Sequence, residues 1–172
     1  MANIYLITSQ EIIQNTPMGG NVDSDKYLHL IIDTQDLVLE PILGTALYNK
    51  ILTDFEADTL TGVYETMFND YIKQVMWHSV FASYAKIGAV WFNNSGTYKK
   101  LSEDAETATQ DEIDSVVKEY QSKADAYIGR LERFLCDGDN DIPEYDNSQD
   151  NDYDIDPKQG LRTISGLYFG NI

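Results

Sequence analysis

Apolar residues recur every three or four positions along most of residues 1–136, the spacing that puts them on one face of an α-helix. From Asp25 the stripe runs Tyr27, Leu28, Ile31, Ile32, Leu37, Val38 and Leu39, which predicts a helix capped by Asp23 or Ser24 and ending near Glu40. Pro41 disfavours helical geometry at the residue before it and pre-sets the first turn of whatever follows. A second helix is therefore expected from Pro41, with Ile42, Leu43, Ala46, Leu47, Ile51 and Leu52 on one side and Gly44 inside it. Upstream, Thr8-Ser9-Gln10-Glu11 fits a capping box, in which the threonine and the glutamate each satisfy a backbone N–H of the other. The longest periodic run extends from Leu60 to Trp91 without a proline. About 32 helical residues would make a rod of roughly 48 Å. Its stripe widens between Met76 and Trp91, where Trp77 and Phe92 add a second apolar side. This half is expected to be buried from two directions, one of them open to a neighbouring subunit. After the Asn93–Thr97 break, a last helix is expected from about Glu106 to Cys136, with Gly138 as its stop.

These elements predict an all-α fold: a small helical bundle with one long central helix. Residues 1–136 form the helical domain, and residues 137–172 an acidic linker and C-terminal docking arm. From Asp137 to Pro157 there are nine Asp or Glu and no Lys or Arg, too polar a run to bury a core. Beyond it, Leu161, Ile164, Leu167, Tyr168, Phe169 and Ile172 return to apolar, β-capable chemistry. A sticky segment on an acidic leash suits docking onto another chain. Together with Trp77, Phe81, Trp91 and Phe92 on the wide helix, these six residues are the candidate interface.

Charge narrows the partners. With a formal net charge of −17, most of this surface repels DNA, RNA and anionic membranes. A chain of 172 residues can bury roughly 70% of its unfolded surface and needs no staples. The lone Cys136 has no partner for an intramolecular disulfide, pointing to a reducing compartment or indifference to redox. The N-terminus lacks the basic head of a signal peptide. Val75–Phe92, the most apolar stretch, is interrupted by His78 and Lys86 and reads as a buried helix, not a membrane span.

No nucleophile elbow, dinucleotide fingerprint or P-loop is present. Gly19-Gly20 reads as a turn. His29 and Asp33 lie four apart, but zinc needs three or four ligands and neither His78 nor Cys136 is suitably spaced. His78 reads as an interior histidine. Asp137, Asp139 and Asp141 imitate the start of a calcium loop, yet Ile142 stands where glycine is required and Ser148 where a bidentate glutamate belongs. Asn93-Asn94-Ser95 fits a glycosylation sequon by accident. The chain is thus expected to have no catalytic residues, metal site or cofactor. Twelve tyrosines, several off the helical stripes, suit either interfaces or ordinary rim packing.

One ordered set of motifs goes further. Thr16-Pro17-Met18-Gly19-Gly20-Asn21, then Pro41-Ile42-Leu43-Gly44-Thr45-Ala46-Leu47-Tyr48, Leu60-Thr61-Gly62-Val63-Tyr64 and Asn69-Asp70-Tyr71-Ile72-Lys73 resemble the head–tail connector (adaptor, head-completion) proteins of tailed bacteriophages, notably the crAss-like and Bacteroides-phage type. The likeness covers Ile4 to Phe92, with a weaker helical match from Ile113 to Leu135. It implies a non-enzymatic virion protein assembled in the host cytoplasm. It further implies a ring of copies, commonly twelve, under the portal protein, which extends the DNA channel and receives other connector or tail proteins. DNA would pass only as cargo, with Asp137, Asp139, Asp141, Asp150, Asp152 and Asp154 as candidate channel-lining or arm acids. The charge also admits a DNA mimic that inhibits a host nucleic-acid enzyme. Mimics spread acids over the folded body, whereas here they crowd into Asp137–Pro157.

Overall fold

The structure, a computed structural model, describes residues 4–20, 22–88, 90–93, 96–99 and 109–146; for 90–93, 96–99 and 146 the description is of the backbone. Over these residues it is an all-α bundle with a two-stranded hairpin. Its helices are α1 (Ser9–Asn15), α2 (Leu28–Thr34), α3 (Glu40–Leu43), α4 (Thr45–Glu56), α5 (Gly62–Met67), α6 (Lys73–Ile87), α7 (Gln110–Leu135) and α8 (Pro143–Asp146), with strands β1 (Val90–Asn93) and β2 (Gly96–Lys99) between α6 and α7.

The expected corner lies three residues later than Pro41. Residues 28–43 are helical without a break, because a π-turn at Gln35–Leu39 joins α2 to α3. Proline lacks an N–H and its ring collides with the carbonyl four residues back. A wider turn just before it, in which Glu40 N–H donates to the Gln35 carbonyl, relieves that collision without ending the helix. The chain turns instead at Gly44, whose φ of 74° and ψ of 153° suit glycine alone. The corner is then stitched. Thr45 Oγ1 donates to Glu40 Oε1 at 3.1 Å, and Tyr48 Oη donates to Asp36 Oδ1 at 2.9 Å.

The long central rod is present but shorter and interrupted. Residues 62–87 are helical throughout, with a π-turn at Phe68–Ile72 between α5 and α6. The run from Val90 leaves the helix, so Trp91 and Phe92 belong to β1, opposite Tyr98 and Thr97 of β2. β-branched and aromatic residues next to an Asn/Ser/Gly turn favour a hairpin over a further helical turn. Among the described residues the longest single α-helix is α7. Its N-terminus carries a second capping box, Thr109 with Glu112, which the sequence pattern did not single out; the Thr8–Glu11 box forms as expected.

Both sides of α6 are covered by this chain itself, which corrects the expectation of a side open to a neighbouring subunit. On one side Tyr27, at the start of α2, meets Tyr84 edge to face at 5.9 Å. On the other, Tyr71 meets Phe134, His78 meets Tyr127 and Phe81 meets Tyr120, an order that makes α6 and α7 antiparallel. Val117, Ala124 and Leu131, seven apart on α7, face this seam and are buried. Trp77 and Phe81 are only 8% and 7% exposed, so neither supplies interface surface. The N-terminal segment closes the core with Leu6, Ile7 and Ile12. It is pinned by the buried Gln35, whose Oε1 accepts from Leu6 N–H at 2.9 Å and whose Nε2 donates to the Ile4 carbonyl at 3.1 Å.

The boundary at 136/137 is also corrected. The chain reverses after α7 through Asn140, whose side chain donates to the Phe134 carbonyl, and α8 packs against α4. Ile142 and Tyr145, 2% and 4% exposed, belong to the core. Two apolar residues three apart are enough to anchor one turn of helix, while Asp137, Asp139 and Asp141 stay exposed. The acidic composition describes the surface of this segment, not its fate.

Candidate functional site

Three places on the described surface concentrate chemistry. The first is the α6–α7 seam. His78 stacks on Tyr127 at 5.2 Å and lies 5.8 Å from Tyr120. Burial, reinforced by the nearby Lys123 ammonium, holds its imidazole below the ordinary 6.5. Its Nδ1 is buried and has no hydrogen-bond partner among the described residues. The ring is thus held by packing between the two tyrosines.

The second place is the clasp that α8 makes on α4 and α5. Tyr64 Oη donates to Glu144 Oε2, and Lys50 Nζ lies 2.9 Å from Asp54 and 4.0 Å from Glu144. Burial, with the facing Glu144 carboxylate, pushes the Tyr64 phenol well above its usual range. Tyr48 is pushed up to about 12, first by burial and then by its bond to Asp36. Phenols held protonated in this way act as fixed donors. They tie elements together and are poor nucleophiles at neutral pH.

The third place is a notch of about 260 Å³ lined by Tyr71, Arg130, Arg133, Phe134 and Asp137. The Arg130 guanidinium lies over two rings, 5.6 Å from Tyr71 and 5.3 Å from Tyr127. Arg133 Nε donates to the Gly129 carbonyl at 3.0 Å. Sequence reading placed these arginines on the last helix without seeing that α5, the π-turn and α7 bring them against Tyr71.

Among the described residues no three His, Cys, Asp or Glu side chains come together to hold a metal ion. Nor is any helix there long and apolar enough to cross a membrane. Asp137, Asp139 and Asp141 lie on the turn after α7, where Asp137 Oδ1 accepts from Asp139 N–H at 3.2 Å. Asp150, Asp152, Asp154, Leu161, Ile164, Leu167, Tyr168, Phe169 and Ile172 lie outside the described residues, as do the side chains of Trp91 and Phe92. The fold leaves other apolar side chains open: Leu37, 75% exposed on the first π-turn, and to a lesser degree Tyr5 and Val116. A wide turn pushes one residue out of the helical stripe, which is why periodicity alone counted Leu37 as core.

A family model described as "Family of unknown function (DUF6712)" matches residues 39–155. The chain belongs to DUF6712. The match begins inside the first π-turn and runs past α8, so the DUF6712 span includes the glycine corner, the α6–α7 seam, the clasp and the arginine notch. No curated protein and no solved structure matches the chain.

Proposed function

We propose that this chain is a structural subunit of a bacteriophage head–tail connector. In this reading, copies form a ring, commonly twelve in the proteins it resembles, between the portal protein and the tail. The ring extends the DNA channel and offers a surface to other connector or tail proteins. The observation that carries the reading is the Pro41–Tyr48 run in its order with the motifs on either side. The geometry is compatible. The run forms a rigid corner, held by Gly44 and by the Thr45–Glu40 and Tyr48–Asp36 bonds, which would set the angle between two helices in every copy alike.

Two further features support the reading. The titratable groups with shifted pKa in the seam and the clasp hold elements together: His78 is packed against Tyr120 and Tyr127, and Tyr64 is bonded to Glu144. The acidic surface suits a conduit through which DNA slides without sticking. Since Trp77 and Phe81 are internal, the contact surface between copies falls to exposed residues such as Leu37, and to the arm carrying Leu161, Ile164, Leu167, Tyr168, Phe169 and Ile172. Cryo-electron microscopy of the chain co-expressed with the portal protein of the same genome tests this. A stoichiometric ring seated on the portal is expected; portal particles that never carry the chain would refute it.

A further inference from the structure

The chain's lysines and arginines are not used alike. Lys50 pairs with Asp54, Lys73 with Glu11 and Lys123 with Glu119. Arg130 and Arg133 make no ion pair within the described residues, although the chain carries 29 Asp and Glu against 12 Lys and Arg. Both are nevertheless held in place, Arg130 by the rings of Tyr71 and Tyr127 and Arg133 by the Gly129 carbonyl. Both line the notch and are exposed. Planar guanidinium forks held in this way suit carboxylates, which they bind through paired, charge-assisted hydrogen bonds. Asp137 also lines the notch, but it is exposed and already accepts from Asp139 N–H, and it is one carboxylate against two guanidinium groups.

We propose that the Arg130–Arg133 notch binds carboxylates of the chain's own acidic segment, residues 150–156. Glu144 is bonded to Tyr64, and Tyr71 lies seven residues further along the same helical stretch, about 10 Å along its axis, with the π-turn at Phe68–Ile72 between them. From Asp146, the last residue of α8, Asp150 is four residues on and Asp156 ten, spans of up to about 14 and 35 Å when extended. Asp150, Asp152, Asp154 and Asp156 therefore come within reach of the notch. A tether this short gives an effective concentration near the millimolar range, so a weak carboxylate site is filled by its own chain first. The net charge works against a nucleic-acid phosphate as the occupant. Docking there would fix the direction in which Leu161–Ile172 leaves the body, whether or not the chain forms a ring.

The exposed Cys136 directly precedes Asp137 of the notch in sequence and is the chain's only cysteine, which supplies the test. In full-length Asp152→Cys, mild oxidation at low salt is expected to form an intramolecular disulfide with Cys136, read as a monomer two hydrogens lighter. Arg130→Glu with Arg133→Glu should slow that reaction about tenfold or more, as loss of charge-assisted bonds implies. The same slowing is expected from Asp150→Asn, Asp154→Asn and Asp156→Asn, which leave the folded body untouched, and from 1 M NaCl. Rates within twofold of the parent in the Asn variants would overturn the proposal. So would a disulfide-linked dimer, which places the segment on a second copy. A single-stranded DNA retarded by wild type but not by the arginine variants would instead make this a phosphate site.

Discussion

Ile142→Ala separates a folded reading of residues 137–146 from a linker reading. In a solvated linker the substitution would change stability by no more than about 0.5 kcal/mol. Ile142 is instead 2% exposed and packed in the core beneath α8. Truncating a buried isoleucine to alanine costs about 2–5 kcal/mol, through lost transfer free energy and the cavity left behind. α8 is a single turn of four residues and can shift to fill part of that space, so the lower half of the range applies. About 2.5 kcal/mol corresponds to a fall in Tm of roughly 5–10 °C for a domain of this size. Urea denaturation followed by circular dichroism should show a lower midpoint with an unchanged slope. Asp139→Ala, on the exposed turn nearby, should leave the midpoint in place. If Ile142→Ala coincides with wild type, Ile142 is not a core residue and the body ends near Cys136.

Further outcomes follow from other parts of the fold. Gly44→Ala meets no atom within 4 Å, so its cost is the φ of 74° alone; about 1–3 kcal/mol is expected by the same denaturation assay. Gln35→Ala leaves the buried Leu6 N–H unpaired and should cost about 1–3 kcal/mol, with faster amide exchange at Leu6. At Glu11, burial raises the carboxyl pKa, but the Thr8 backbone N–H and the Lys73 ammonium outweigh it and hold the carboxyl below its ordinary 4.5. That contribution is present above pH 4.5 and lost as pH falls through the lower folded value, so Glu11→Gln should flatten the acid limb of the stability curve. His78 is likewise depressed from 6.5: below that pH the unfolded chain takes up a proton the folded chain resists, and stability falls. His78→Phe should remove that slope, measured as Tm between pH 7.5 and 5.5.

Helical class and the first capping box were legible because each rests on a local rule, either a period of three to four or a threonine three residues before a glutamate. Asp23, expected to cap the main helix, caps the short 3-10 turn Ser24–Lys26 instead, and α2 starts at Leu28 without a side-chain cap. The errors share a cause: composition was taken where a few contacts decide. Pro41 reads as a break until a π-turn absorbs it, and π-turns have no reliable sequence signature. Val90-Trp91-Phe92 continues the apolar run, yet the neighbouring Asn93 and Gly96 favour pairing with Gly96–Lys99. The acids from Asp137 hid Ile142 and Tyr145, although Ile-Pro-Glu-Tyr after a glycine stop has the spacing of a short docked turn. The arginine notch was out of reach for a different reason. Arg130 and Tyr71 lie far apart in sequence, and only the packing of α7 on the second π-turn brings them together.

Counting subunits by native mass spectrometry tests the connector reading most directly. The full chain, mixed with the portal protein encoded in its own genome, should give one closed complex of fixed stoichiometry matching the portal's symmetry, and Leu37→Asp should weaken it. A chain that remains monomeric beside an intact portal assembly, at every protein concentration that keeps it folded, would contradict the reading.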